Sequence, residues 1–335
     1  MTSLSTVAYS LLDLAPVQDT GSYLQAYQRS VATAQHAEKL GFTRFWLAEH
    51  HSMDGIGSSA TVVLIGHVAN ATRQIRVGAG GIMLPNHSPL VVAEQFGTLE
   101  TLYPGRIDLG LGRAPGSDQA TMRALRQNSC NTGENFPEQL AELQFYLGDP
   151  QPGQRVHAIP GSGTHLPIWL LGSSLFSARL AAQRGLPYAF ASHFAPGLLK
   201  EALRTYRSLF VPSAALEKPY VAIGVPLAAA PDDNEAMFLL STAQQNILSL
   251  IRGESLRQKP PVNNMAELWT AEEKHYIDEF LKIAVTGSPA KVEAQLQQLL
   301  DETDADELIF TSNIYHREHH LRSLEIAAGV FQKHR

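Results

Sequence analysis

Cysteine is nearly absent from this chain: Cys130 stands alone among 335 residues. No internal disulfide can form, and a cysteine-based metal site is excluded. Charge is sparse as well. Charged residues make up 17% of the chain, the formal net charge is -6, and there is no basic cluster. Nucleic-acid binding would want a basic face, so it is not expected. No apolar run reaches the roughly 20 residues of a membrane span. The N-terminus, MTSLSTVAYSLLDLAP, has neither a positive leader nor a cleavage-type pattern, so a cytoplasmic location without membrane contact is expected. What the chain does have is apolar substance, 44% of its residues, enough for a large buried core.

Strand and helix patterns alternate along the chain. Strands are predicted at 7–12, 43–48, 75–81 and 106–111, with helices at 23–40, 60–72, 89–102 and 135–147. Leu24, Tyr27, Val31 and Ala34 mark one helical stripe, which Gly41 ends. Ser88 followed by Pro89 opens the third helix well. The second half continues with strands at 168–172, 188–191, 220–227 and 307–310, followed by helices at 174–183, 196–210, 234–252 and 318–331. Eight pairs are the count of a (β/α)8 TIM barrel, and one such domain would fill residues 1–335. The strands are apolar runs, as buried parallel strands should be. The stretch 253–270 has prolines, asparagines and weak periodicity. It is expected to be an insertion before the last strand, and 253–275 a lid or binding loop.

Several residues could carry chemistry. Arg113 follows the fourth strand, where a guanidinium fork either contacts a phosphate or makes a surface ion pair. Gly110-Leu111-Gly112 is no dinucleotide fingerprint, because the third glycine position is Pro115. Gly172, Ser173 and Ser174 form a strand-to-helix turn whose N–H groups and hydroxyls suit an anion or simply cap the helix. Gly80 and Gly81 allow unusual backbone angles or the close approach of a flat ligand. Glu49-His50-His51 ends the second strand, and an imidazole there can act as acid or base. Adjacent histidines point to opposite faces, so a metal pair is not expected. Nor is one expected from His316, His319 and His320, which lack the H-E-x-x-H carboxylate. Ser10 and Asp13 on strand one, and Ser192 and His193 on strand six, are candidate pocket liners on one rim.

The ordered motifs resemble those of the bacterial luciferase-like flavin monooxygenases. They are FWLAEHH at 45–51, VGAGGIMLP at 77–85, PLVVAEQ at 89–95, GRIDLGLGR at 105–113, PIWLLGSS at 167–174 and TGSP at 286–289. The resemblance spans nearly the whole chain, with a gap around 250–280. It implies a monooxygenase that uses reduced FMN and O2 to oxygenate a small organic substrate through a C4a-peroxyflavin, the reduced flavin coming from a separate flavin reductase. It further implies that Arg113, Ser173 and Ser174 contact the flavin phosphate and that Gly80–Gly81 is a non-proline cis peptide under the ring. His50 becomes the catalytic histidine. The family's cysteine near the ring maps onto Gly112, and Ser173 replaces its usual acidic residue. Two other readings share the scaffold: a deazaflavin (F420)-dependent oxidoreductase and a non-catalytic flavin-binding protein. The helices at 60–72 and 89–102 carry Val62, Val63, Leu64, Ile65, Val68, Leu90, Val91, Val92 and Phe96. One buried stripe does not need so many, and a two-fold homodimer through these helices is expected, as in the family.

Overall fold

The computed structural model describes residues 2–114, 119–125 and 133–335; Pro115 and Cys130 lie outside them. The first half runs β1 (Ala8–Asp13), α1 (Tyr23–Lys39), β2 (Arg44–Leu47), α2 (Thr61–Ala71), β3 (Arg76–Met83), α3 (Pro89–Leu102), β4 (Ile107–Gly112), α4 (Gln119–Leu125) and α5 (Phe136–Leu147). The second runs β5 (Ile168–Gly172), α6 (Leu175–Arg184), β6 (Tyr188–Phe190), α7 (Leu199–Leu209), β7 (Val221–Ala229), α8 (Asp233–Arg252), α9 (Ala271–Phe280), β8 (Val285–Gly287), α10 (Pro289–Thr303), β9 (Glu307–Thr311) and α11 (Arg317–His334).

Among the described residues all strand pairs are parallel, and eight strands close a ring in the order β1 to β7, then β9, then β1. This is the expected (β/α)8 barrel. Local chemistry sets its helix ends. Ser22 accepts from the Gln25 N–H while Gln25 returns a bond to the Ser22 backbone, a capping box that starts α1. Gly185 ends α6 with φ +61°, and a Cβ there would sit 2.5 Å from the Val211 carbonyl, so glycine is required on two grounds. β4 and β7 are buried along their whole lengths, as a strand covered on both faces must be.

The ninth strand was not expected from the sequence. Among the described residues β8 pairs only with the last residues of β7, Leu227 with Val285 through Ala229 with Gly287, after β7 has paired with β9 over Ala222–Pro226. It therefore rides outside the ring. The expected insertion is a strap over 254–264 that runs into α9, and β8 and α10 follow beyond its expected end before β9.

The ring interior is layered. Its lower layer is charged. Arg44 lies between Asp108 (2.8 Å) and Glu307 (2.9 Å), and Arg76 takes the other oxygen of Asp108 at 2.6 Å. Tyr220 donates to Glu307 at 3.0 Å and Trp46 to Asp108 at 3.2 Å. Burial works against the Arg44 charge, but the two carboxylates outweigh it and hold the guanidinium more firmly protonated than usual. Removing one member of such a buried set costs about 3–5 kcal/mol, because the rest is left uncompensated. Above it lie Leu12, Trp46, Trp169, Ala189, Ala222 and Ile309, the floor on which the upper rim rests.

Candidate active site

The carboxyl ends of the strands form the rim where barrels of this kind place their chemistry. Shortly before the end of β3 the Gly80–Gly81 peptide is cis. Neither glycine has room for a side chain. A Cβ on Gly80 would come within 2.7 Å of Leu12 Cδ1 and 3.1 Å of Trp46, and one on Gly81 within 2.7 Å of the Gly110 carbonyl. Here β3 also slips against β4, the two residues between Ala79 and Ile82 facing the one between Leu109 and Leu111. The extra residue leaves a bare backbone platform on the rim.

On the neighbouring strand, Arg113 leaves the end of β4 with its side chain exposed and its guanidinium 4.4 Å over the Phe176 ring. Phe176 is in the first turn of α6, and Gly172, Ser173 and Ser174 are the turn before it. Ser174 is the N-cap residue, yet its hydroxyl makes no capping bond. A cation, an uncapped helix N-terminus and two adjacent hydroxyls thus converge, as an anion site requires. Gly172 is glycine for a different reason: a Cβ would meet the Ser177 hydroxyl at 2.3 Å.

On the other side of the mouth, His50 continues the inward register of β2 after Arg44, Trp46 and Ala48. β2 and β6 are diametrically opposite in the eight-stranded ring, and His193, three residues beyond β6, lies near enough to feel the His50 charge. Its ring occupies the space over Gly224, where a Cβ would be 2.2 Å from Nδ1. Ser192 locks the turn by donating to the Gly224 carbonyl at 2.7 Å. Burial, helped by His50, pushes the His193 pKa down to about 4, so this imidazole is neutral at ordinary pH.

Two expected pocket liners are placed elsewhere. Ser10 is not on the rim: it faces inward two residues below Leu12, and its hydroxyl donates to Glu307 in the charged lower layer. Asp13 is at the strand end but points outward, toward Arg29 and Ser30 of α1, where burial pushes its carboxyl up. Counting to the end of a strand located the level; side-chain parity and depth decided the rest. The three histidines near α11 diverge: His319 reaches Glu235 at 3.0 Å, His320 is buried and His316 exposed.

Sequence reasoning missed a carboxylate here. Glu49 is 1% exposed and accepts from His51 (2.8 Å), His87 (2.9 Å) and the Met83 N–H (3.0 Å). Burial would raise its pKa, but these donors, His87 foremost, lower it, and Glu49 stays ionised. His87 is too far along the chain for any local pattern to have paired it. The strap also reaches this end of the barrel. Gln258 bridges Gln18 in the loop after β1, Ser255 and the Leu256 N–H bond Asp54 in the loop after β2, and Thr242 and Gln245 of α8 hold the far side.

The chain is similar to known proteins along its length. A family model described as luciferase-like monooxygenase matches residues 8–307. A luciferase-like monooxygenase of Escherichia coli (strain K12) is 51% identical over 325 residues, 97% of each chain. An N-acetyl-S-alkylcysteine monooxygenase of Bacillus subtilis (strain 168) is 39% identical over 218 residues, 63% of this chain and 65% of that one. Among solved structures, apo-MsnO8 superposes with a TM-score of 0.86 at 34% identity, covering 97% of this chain and 98% of that one. Two more distant structures share the fold alone. One is the FMN-bound oxygenating constituent of 3,6-diketocamphane monooxygenase, with a TM-score of 0.73, 18% identity and 96% and 97% coverage. The other is an F420-dependent secondary alcohol dehydrogenase, with a TM-score of 0.70, 15% identity and 97% and 99% coverage.

Proposed function

The chain belongs to the luciferase-like monooxygenase family, and from that premise we propose that it is a flavin-dependent enzyme that uses reduced FMN and O2 to oxygenate a small organic substrate. The observation that carries the reading is the pairing, on one rim, of a bare Gly80–Gly81 platform with an anion site at Arg113 and the start of α6. A flat ring on a phosphorylated tail has that shape. Bound reduced FMN would supply the electrons that activate O2.

The chain's own residues then divide the remaining work. Arg113, Ser173, Ser174 and the Gly172 turn hold the phosphate. Gly80 and Gly81 let the ring lie against backbone. His50 gives or takes protons at the reacting face, with neutral His193 and Ser192 opposite it. The strap lies across the loops after β1 and β2, where it closes the pocket and excludes water. A separate flavin reductase supplies the reduced cofactor. A second copy of the chain covers the apolar faces of α2 and α3.

The name of the Bacillus subtilis relative makes thioethers the first substrates to try. The test is a titration with FMN and with the F420 deazaflavin, followed by turnover with a flavin reductase and a panel of N-acetyl-S-alkylcysteines, aldehydes and aromatics. The expected outcome is FMN binding and a product heavier by one oxygen atom. Preference for the deazaflavin, with hydride transfer and no oxygen uptake, would replace the oxygenase reading. FMN binding without turnover on the panel would point to a flavin-binding protein.

A further inference from the structure

β2 and β3 run in register only as far as Leu47 and Ala79. Beyond that point β2 has ended, and β3 takes its extra residue through the cis Gly80–Gly81 bond and carries on. Two strand ends that no longer share a ladder would diverge unless something else joined them. The Glu49 carboxylate does so. Its Oε2 accepts the Met83 N–H, two residues past Gly81, and its Oε1 accepts from both His51 and His87. Such a carboxylate, 1% exposed, would be costly without these donors. Its immediate neighbour in sequence is His50.

We propose that Glu49 is the positioning residue of the ring site. By tying the end of β2 to the end of β3, it sets the distance and angle between the His50 side chain and the Gly80–Gly81 backbone. His87, just before α3, reaches both oxygens (2.9 and 3.1 Å) and with His51 orients the carboxylate so that Oε2 also meets the Met83 N–H. This rests on the reading that a flavin ring lies on Gly80–Gly81. Glu49 acts on the ring and not on the phosphate, whose anchors are on β4 and α6.

That division supplies the test. FMN and riboflavin are titrated separately into the parent, Glu49→Leu, Glu49→Gln and His87→Gln, and the visible circular dichroism of each bound flavin is recorded. Glu49→Leu should weaken both ligands alike, by roughly tenfold, the scale of one hydrogen bond to a charged group, and should change the flavin dichroism. Glu49→Gln keeps an acceptor for Met83 and should lose less. His87 is half-exposed, so His87→Gln should fold normally and shift the dichroism in the same direction. Both affinities within twofold of the parent and an unchanged dichroism would overturn the proposal, whatever the variants' melting temperatures. If Glu49→Leu does not fold, the other two variants decide on the same terms. A loss confined to FMN would also overturn it. Failure of the parent to bind any flavin would sink the flavin reading itself, whereas a flavin-binding parent with indifferent variants sinks only the role of Glu49.

Discussion

Arg113 carries a charge that riboflavin cannot use, and this makes its role separable. Arg113→Ala should weaken FMN binding by an amount on the order of 1.5–3 kcal/mol, a charge-assisted hydrogen bond's worth, and leave riboflavin nearly untouched. Equal losses for both ligands would remove Arg113 from the phosphate. His50 should behave in the opposite way. His50→Ala is expected to keep FMN affinity within a few-fold while product formation slows by roughly 10²–10⁴-fold, the usual range for lost acid–base help. Normal turnover in that variant would show that the proton goes elsewhere. His51→Ala serves as the comparison, because His51 shares its carboxylate with His87 and Met83, so it should reduce stability more than rate.

Among the elements, the strap makes the sharpest prediction. Gly55 lies so close to it that a Cβ would be 2.0 Å from the Leu256 carbonyl oxygen and 2.1 Å from its carbon. Backbone cannot swing aside as a side-chain end can. Gly55→Ala should therefore lift the strap, hasten tryptic cleavage after Arg257, and speed FMN release. Cleavage at the parent's rate would mean that the strap is held by α8 alone. How much could be read from sequence differs between elements for physical reasons. The eight ring strands, even three-residue β6, sit in apolar stretches between turn residues and alternate with helices, and they were found. β8 is three residues long and borrows its order from β7, so it has no pattern of its own. The rim glycines and Arg113 are local to one motif and were legible. The inward depth of Ser10 and the outward turn of Asp13 depend on register between strands, and the clasp of Glu49 on His87 joins residues 38 apart; neither is written in any one segment.

For the molecule as a whole, association and acid sensitivity are the measurable properties. Val63 on α2 is 70% exposed, and Val91 and Leu102 on α3 are 45% and 62% exposed. A homodimer through these faces should appear by light scattering at micromolar concentration, and a monomer would count against it. Acid should destabilise the protein before its carboxylates titrate. His193 and His320 are pushed down to about 4 and about 3, each chiefly by burial. The unfolded chain therefore takes up protons below 6.5 that the folded one refuses, and stability falls as the pH drops from 6.5 toward 4. Each group contributes roughly 2 kcal/mol of that loss by pH 5. Thermal melts of His320→Leu should show a smaller drop between pH 7 and 5 than the parent's, and an identical drop would refute this source. The way β7 divides its partners has a bearing on how such a chain can diversify. β7 is fastened to β9 before its last residues turn to β8, so everything between them departs from and returns to two strands already joined. That excursion works as a cassette. Natural variation, or a designed graft, can lengthen, shorten or replace its strap and α9 without re-registering a single ring strand, while α8, packed on the end of β7, stays with the barrel.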